Sequence, residues 1–228
     1  MNLQQDMTIA ALFNLEQTGA AKYLSQFTYP WEALSGIGDF ILAYGNTLSQ
    51  EEYLLPEETG LPNVWIARSA KVAHSAFIQG PCVIEADAEI RHCAYIRGNA
   101  LIGSGCVVGN SCEIKNAILF NGAQVPHFNY VGDSILGYKA HLGAGAVTSN
   151  IKSDKTNISV LAGGERIPTG RRKFGAAVGD LTEVGCNCVL CPGTVLGTEC
   201  TVYPLSRVRG FVPARHIFKN ETNIIAKI

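Results

Sequence analysis

The sequence predicts an all-β solenoid, a parallel β-helix built from hexapeptide repeats. One observation is a bulky apolar residue at every sixth position, namely Ile66, Val72, Ile78, Ile84, Ile90, Ile96, Ile102, Val108, Ile114 and Phe120. Another is a small side chain four positions after most of these, namely Ala70, Ala76, Cys82, Ala88, Ala94, Ala100, Cys106 and Cys112. Both patterns return between Val178 and Val208. No α-helix or hairpin sheet needs a period of six, whereas the stacked coils of a solenoid do.

Each group of six predicts a short strand followed by a corner, and three groups make one triangular coil of 18 residues. The bulky residue fills the interior, and the small residue lets the chain turn. Five of the eight cysteines occupy the small slot, namely Cys82, Cys106, Cys112, Cys188 and Cys200. A free thiol behaves there as a small hydrophobe. We therefore expect no disulfide framework and no metal site, even at the cluster of Cys186, Cys188 and Cys191.

The chain divides into three predicted regions. Residues 1–62 lack the repeat, and helix-like apolar spacing over residues 8–27 and 31–48 predicts a small N-terminal helical cap over the open end of the solenoid, followed by a linker. Residues 63–212 form the β-helix, with an inserted loop at about 149–177 where no hexads are visible. Residues 213–228 are a C-terminal tail whose apolar end suits a strand packed on a neighbouring subunit.

Composition narrows the class of partner. The chain is 47% hydrophobic, which is enough to form a buried core. Its net charge of −1 and pI of about 6.5 provide no positive electrostatic potential that would attract a polyanion. We expect no nucleic-acid partner. The polar N-terminus resembles no signal peptide, and no apolar run is long enough to span a membrane, so we expect a cytoplasmic protein.

Arg97 and Lys115 are 18 residues apart, and each follows an interior residue. They should point outward from adjacent coils, about 5 Å apart along the axis. Two cations this close repel unless something negative lies between them. A bound phosphate would supply that charge, and a ladder of splayed, solvated side chains is an equally good interpretation. The column of His74, His92 and Asn110 is interpreted as a solvated polar ladder.

His127 lies in an irregular stretch, two hexads beyond Lys115, with Phe128 and Tyr130 as candidate pocket walls. Spacing alone is compatible with a structural histidine or with a catalytic base. The inserted loop carries Arg171, Arg172 and Lys173 among glycines and prolines, together with Glu165 and Arg166. Such a loop either carries function or is solvated decoration.

Segments within residues 107–150 resemble a known family. They are Val108-Gly109-Asn110, Glu113-Ile114-Lys115, His127-Phe128-Asn129-Tyr130-Val131-Gly132-Asp133-Ser134, Leu142-Gly143-Ala144-Gly145 and Ser149-Asn150. This stretch resembles the acetyltransferase domain of the bifunctional glucosamine-1-phosphate acetyltransferase / N-acetylglucosamine-1-phosphate uridyltransferase family. It is more similar still to the C-terminal domains of sugar-1-phosphate nucleotidylyltransferases. The resemblance implies a left-handed parallel β-helix, a homotrimer, and acetyl-CoA as co-substrate with no metal required.

The resemblance also implies a role for individual positions. The positions that align with the family's sugar-phosphate and substrate contacts are Arg97, Lys115, Tyr130 and Lys173. His127 matches the general base. Asn150 matches a substrate contact that would also suit an oxyanion donor, and a backbone N–H in the Gly143-Ala144-Gly145 turn is the alternative donor. Ala144 and Asp180 fall where the family contacts the acyl-CoA arm.

These residue types suit acetyl transfer to an amino sugar. The ammonium must lose a proton before it attacks the thioester, and a neutral imidazole is a suitable base. Attack creates an oxyanion that needs a donor already in place. The cations would hold the phosphate and thereby orient the amine.

The sequence departs from the family at three places. His141 stands where the family commonly has Asn, Asp180 stands where it has a small hydroxyl residue, and the loop from Ile151 to Phe174 is much longer than in the acetyltransferase. We predict an acetyl-CoA-dependent N-acetyltransferase acting on an amino-sugar phosphate of the glucosamine-1-phosphate type, feeding nucleotide-sugar synthesis. The alternative is a non-catalytic, sugar-phosphate-binding or trimerising module. A separate nucleotidylyltransferase is a further candidate partner.

Overall fold

The computed structural model describes residues 3–227. The short helices of the N-terminal region are α1 (Ile9–Leu12), α2 (Ala21–Leu24), α3 (Pro30–Ala33), α4 (Ile37–Gly45) and α5 (Pro56–Thr59), with 3-10 turns at Gln5–Met7 and Leu15–Gln17. The two longer helices predicted for residues 8–27 and 31–48 are therefore wrong in length. Asn14 and Thr18 are both extended, so the first predicted helix breaks into separate turns.

The strands are mostly two to four residues long and follow one another from Tyr53 to Ala226. They are β1 (Tyr53–Leu54), β2 (Val64–Ala67), β3 (Lys71–Val72), β4 (Phe77–Ile78), β5 (Cys82–Ile84), β6 (Glu89–Ile90), β7 (Tyr95–Ile96), β8 (Ala100–Ile102), β9 (Val107–Asn110), β10 (Glu113–Leu119), β11 (Gln124–His127), β12 (Tyr130–Leu136), β13 (His141–Leu142), β14 (Val147–Thr148), β15 (Ser159–Ala162), β16 (Glu165–Pro168), β17 (Ala176–Val178), β18 (Glu183–Val184), β19 (Val189–Leu190), β20 (Thr194–Leu196), β21 (Thr201–Val202), β22 (Arg207–Val208), β23 (Phe211–Val212), β24 (His216–Asn220) and β25 (Asn223–Ala226).

Parallel pairing arranges these strands in three columns, which we call faces 1, 2 and 3 of the solenoid. Face 1 stacks β2, β5, β8, the second halves of β10 and β12, β17, β20 and β23. Face 2 stacks β3, β6, β9, β11, β13, β18, β21 and β24. Face 3 stacks β4, β7, the first halves of β10 and β12, β14, β19 and β22. The predicted all-β solenoid is confirmed.

The interior is filled largely as the period of six predicts, with one slip. Ile84, Ile102 and Ile114 are fully buried in the solenoid core. The predicted next position, Phe120, is wrong, because Leu119 pairs with Ile102 and takes the interior place instead. That coil is one residue shorter than 18, so Phe120 points outward and packs on Phe13, with ring centroids 5.1 Å apart.

The N-terminal region does not cap the end of the solenoid but lies along face 1. The outward residues of that face are apolar and form one column, namely Trp65, Val83, Leu101, Ile118, Ile135, Ala177, Val195 and Phe211. This column packs with Leu12, Trp31, Leu34, Ile37 and Ile41 of the N-terminal region in a second core. The physical reason is that face 1 is apolar on both sides and must be covered.

The end of the solenoid is closed by the predicted linker rather than by the helices. Strand β1 pairs antiparallel with β2 and so satisfies its free edge. Leu54 and Leu61 pack against the interior core at this end. At the opposite end, β24 extends the solenoid beyond residue 212, and β25 folds back on β24 as an antiparallel hairpin of the same chain.

The inserted segment between β14 and β17 is a β-hairpin, not a solvated loop. Strands β15 and β16 pair antiparallel. Ile158, Val160 and Phe174 are buried and belong to the second core. The insertion therefore shares face 1 with the N-terminal region.

The cysteines predicted for the interior, Cys82, Cys106, Cys112, Cys188 and Cys200, are buried, and all eight thiols are free. Between residues 3 and 227 no group of three or more His, Cys, Asp or Glu side chains is arranged to hold a metal ion. None of the helices in the same range is long and apolar enough to cross a membrane.

Candidate active site

Asp133 is the centre of a polar cluster at the corner between faces 3 and 1. Its side chain is only 7% exposed and its backbone is left-handed, with φ of 49°. One carboxylate oxygen accepts hydrogen bonds from Lys115 Nζ (3.1 Å) and Asn150 Nδ2 (2.6 Å), and the other accepts from Asn116 Nδ2 (3.0 Å). The left-handed turn aims this short side chain at the preceding coil, so that Asp133 joins residues from three coils.

Tyr130 and Asn150 complete the cluster. Tyr130 begins β12 and pairs with Val147 of the next coil. Asn150 Nδ2 donates to the Tyr130 hydroxyl at 3.1 Å as well as to Asp133. Partial burial, followed by the Asp133 charge, raises the pKa of Tyr130. The structure therefore brings together Lys115, Tyr130 and Asn150, three of the residues predicted from the sequence.

The predicted stacking of Arg97 over Lys115 is present, because Ile96 and Ile114 pair directly. The negative charge that this stacking requires is supplied by the chain itself. Arg97 is paired with Glu113 at 2.6 Å, and Lys115 is paired with Asp133. The Arg97 pair is partly exposed and the Lys115 pair is more enclosed. A phosphate at this site would thus share its cations with two carboxylates.

The insertion delivers its basic residues to the same corner. Phe174 N donates to Asn150 O, and Gly175 N donates to Asp133 O. The residues just before them, Arg171 to Lys173, line a surface pocket of about 510 Å³ together with Asp133. Lys173 is exposed there, so the insertion adds positive charge where Lys115 and Asp133 meet.

His127 ends β11 at the corner between faces 2 and 3, where its side chain is exposed. It pairs with Asn110 and so extends the column of His74, His92 and Asn110. Its backbone is fixed on both sides, since His127 N donates to Asn129 Oδ1 (3.0 Å) and His127 O accepts from Gly145 N (2.9 Å). Among residues 3–227, the imidazole makes no hydrogen bond to the Asp133 cluster.

Asn129 holds the turn that presents His127. It is 2% exposed, and its amide donates to Gly143 O (2.8 Å) and Ala146 O (3.0 Å). These bonds place Ala144, half-exposed, one coil beyond His127. Within the described part of the chain, the N–H of Ala144 meets no backbone acceptor, whereas those of Gly143 and Gly145 do.

Asp180 is held by backbone groups of the chain itself. It is 8% exposed beneath the N-terminal region, and its carboxylate accepts from Asn14 N (2.6 Å) and Tyr138 N (2.7 Å). Burial raises the pKa of this carboxyl, and the two backbone donors oppose that rise. Because its oxygens and its N–H are engaged with the chain's own backbone, Asp180 anchors residues 12–14. The acyl-CoA contact implied by the resemblance at Asp180 stays a prediction.

Three residues of the cluster were missed as site residues from the sequence, namely Glu113, Asn116 and Asp133. A usable pattern existed for Asp133, which follows Asn116 by 17 residues, as Asn116 follows Asn99, and so lies one coil away. Asn99 and Asn116 take the same left-handed corner conformation in the two preceding coils. Asn and Asp are the residues that adopt this conformation most readily after glycine.

Comparison with known proteins agrees with the resemblance found in the sequence. Residues 78–169 match a family model described as the GMPPB C-terminal domain. The chain is 34% identical over 105 residues to a bifunctional sugar-1-phosphate nucleotidylyltransferase/acetyltransferase of Sulfurisphaera tokodaii, covering 46% of this chain and 26% of that protein. It is 32% identical over 88 residues to the bifunctional protein GlmU of Methanococcus vannielii, covering 39% and 21%. The chain thus spans about a quarter or less of the length of these relatives.

Solved acetyltransferases are similar only loosely. A perosamine N-acetyltransferase from Caulobacter crescentus, in complex with CoA and GDP-perosamine, aligns at 18% identity and a TM-score of 0.33 over 72% of this chain and 56% of that one. The acetyltransferase domain of PglB from Neisseria gonorrhoeae, in complex with acetyl coenzyme A, aligns at 13% identity and a TM-score of 0.30 over 81% and 76%. Superpositions this loose transfer no site geometry.

Proposed function

We propose that this chain is an acetyl-CoA-dependent N-acetyltransferase whose acceptor is an amino-sugar phosphate of the glucosamine-1-phosphate type. The observation that carries the proposal is that Lys115, Tyr130, Asn150 and the basic run ending at Lys173 converge on one corner of the solenoid. The exposed His127 lies three residues before Tyr130 in the chain. The sequence match to a sugar-1-phosphate nucleotidylyltransferase/acetyltransferase supports the same class. Its product would feed nucleotide-sugar synthesis.

The acceptor phosphate would be held by Lys115 and Lys173, with Arg97 on the outer side. Because Glu113 and Asp133 already neutralise Arg97 and Lys115, the insertion supplies the surplus positive charge. This arrangement orients the amine toward the turn that carries His127.

His127 would take the proton from the acceptor ammonium, since its imidazole is exposed while its backbone is fixed. The amine then attacks the thioester carbonyl and forms the C–N bond. The C–S bond breaks, and the departing sulfur takes up the proton that the attacking nitrogen loses, which releases the CoA thiol. The N–H of Ala144 suits the oxyanion better than Asn150 does, because the Asn150 amide already donates to Tyr130 and Asp133. Asn150 would instead position Tyr130 for the substrate.

The test is thiol release from acetyl-CoA with glucosamine-1-phosphate and a panel of other amino-sugar phosphates. His127→Ala should lose roughly 100-fold to 10,000-fold in kcat, the usual contribution of a general base. His74→Ala is the matched control, because His74 is exposed in the same column three coils away and should retain full turnover. Turnover that survives in His127→Ala would remove the histidine from the mechanism.

A sugar-phosphate-binding module without catalysis is favoured by one observation. The ion pairs Arg97–Glu113 and Lys115–Asp133 are complete without a ligand, as a scaffold would have them. In that case calorimetry would detect glucosamine-1-phosphate binding but neither acetyl-CoA binding nor thiol release. We also propose that the chain forms a homotrimer, and that a separate nucleotidylyltransferase is a candidate partner in the cell, which co-purification with such an enzyme would test.

A further inference from the structure

A second pocket lies on face 3, further toward the C-terminal end than the Asp133 cluster. Its volume is about 310 Å³, and it is walled on one side by the insertion and on the other by the last strands of face 3. Ile151 borders both this pocket and the one beside Asp133. None of the residues to which the resemblance assigned a binding or catalytic role lines it.

Strand register shows how the pocket floor is built. Thr148, Leu190 and Val208 are paired interior neighbours, so the residues that follow them, Ser149, Cys191 and Arg209, form one outward column. This column is the continuation of the one that carries Arg97 and Lys115. Four strand spacings separate Lys115 from Arg209, which is roughly 19 Å along the axis.

Positive charge is concentrated in this pocket. The lining includes Arg207 and Arg209, which flank the inward Val208, and Lys152 and Arg166 from the insertion, but no carboxylate. The whole chain, by contrast, carries a net charge of −1. Four cations around one cavity repel one another unless an anion lies between them.

Two of these cations are balanced by the chain and two are not. Lys152 pairs with Asp154 and Arg207 pairs with Glu221. Arg166 and Arg209 make no ion pair within residues 3–227. Both line the pocket, Arg166 from β16 of the insertion and Arg209 from just after β22, so that an anionic group in the cavity can approach both.

The remaining lining is suited to oxyanion recognition. Ser149, Ser159 and Asn157 add hydroxyl and amide groups that can donate hydrogen bonds. The guanidinium fork matches the oxygen geometry of phosphate better than an ammonium does. The volume is at the lower end of that of small-molecule sites and exceeds what one phosphate needs.

We propose that this pocket is a binding site for a diphosphate group, with Arg166 and Arg209 as its principal ligands. The diphosphate comes either from a nucleoside diphosphate or from coenzyme A, which share this chemistry. The site depends on the insertion, because Arg166 and Lys152 both belong to it. For coenzyme A as the source, the site rests on the proposed acetyl transfer and adds to its co-substrate site. Diphosphate binding itself requires neither His127 nor the Asp133 cluster.

The test is calorimetric titration with inorganic pyrophosphate at low ionic strength, using the wild-type chain and the double variant Arg166→Gln/Arg209→Gln. Both arginines are exposed, so the variant should keep the wild-type melting temperature. We expect at least a ten-fold weaker affinity, because the double variant removes both unpaired guanidinium donors of the site. Arg215→Gln is the matched control, an exposed arginine outside the pocket, and should bind like wild type.

Absence of pyrophosphate binding to the wild-type chain would overturn the proposal. Pyrophosphate affinity in the double variant equal to that of wild type would overturn it too. So would an equal loss of affinity in Arg215→Gln and in the double variant, because it would indicate non-specific electrostatic attraction. Separate titrations with GDP and coenzyme A distinguish the sources, because the true ligand binds more tightly than pyrophosphate and loses that affinity in the double variant. Loss of acetyl transfer in His127→Ala leaves all these titrations unchanged, so the two proposals fail independently.

Discussion

At the residue scale, the chain balances its charges with neighbours on adjacent coils. The stacking of Arg97 and Lys115 on adjacent coils could be predicted from the sequence, because each residue follows a regular interior position. Their carboxylate partners were not predicted, since Glu113 lies on the strand face beside Lys115 and Asp133 lies on a left-handed corner. Which of several outward neighbours a long side chain contacts depends on corner geometry, which spacing does not specify.

Glu85 provides a pH-dependent prediction at the same scale. It is 5% exposed beneath the N-terminal region, where it accepts a hydrogen bond from the Tyr44 hydroxyl at 3.0 Å. Burial raises the pKa of this carboxyl, outweighing the hydrogen bonds from Tyr44 and Ser104 that lower it. The folded state therefore holds the proton more tightly than the unfolded state, and the stability from this group is present at low pH and is lost as pH rises through the folded pKa.

Glu85→Gln should consequently melt at a temperature close to that of wild type at about pH 4, near the carboxyl's unfolded pKa. At about pH 8 it should melt at a higher temperature than wild type, because the neutral amide leaves no charge to be buried there. Thermal unfolding at both values measures the difference. Glu165→Gln, on the exposed side of the insertion, should show no such divergence. A melting difference that shrinks with rising pH would contradict the assignment.

At the element scale, face 1 carries two apolar patterns in the sequence, and only the interior one was used to predict the fold. The interior series was evident because it repeats every six residues. The outward residues of face 1, such as Trp65, Val83 and Leu101, repeat every 18 residues and directly precede interior residues. An apolar pair once per coil indicates a face covered on its outside, and this pattern could have placed the N-terminal region along the solenoid. The hairpin in the insertion carried no comparable period.

Val160 tests how the insertion is held. It lies on β15, is fully buried, and belongs to the core that covers Val195 of face 1. Val160→Asp should bury an unpaired charge or release the hairpin, at a cost of about 2–4 kcal/mol in the free energy of unfolding. Limited proteolysis should then cut within residues 151–173. Glu165→Ala, on the exposed strand of the same hairpin, should leave the digestion pattern unchanged, and equal cleavage in both variants would argue against this anchoring role.

At the scale of the whole molecule, the three faces differ in what they can bind. Face 1 is covered by the N-terminal region and the insertion of the same chain. Faces 2 and 3 are therefore the solenoid faces left open to a partner chain. Large apolar side chains are exposed there, including Phe77 (60%) on face 3 and Leu205 (79%) at the corner between faces 2 and 3. These are the surfaces that the proposed homotrimer would use.

Leu205 and Leu181 form a matched pair for testing this assembly. Both are exposed leucines with left-handed backbones, at φ of 61° and 59°, but Leu181 lies at the corner that follows the covered face 1. Leu205→Arg should shift the mass in solution from three times 24.4 kDa toward that of a single chain, because it places a charge in an apolar contact. Light scattering after gel filtration measures the mass. Leu181→Arg should stay trimeric, and a wild-type chain of single mass would remove the trimer from the proposal.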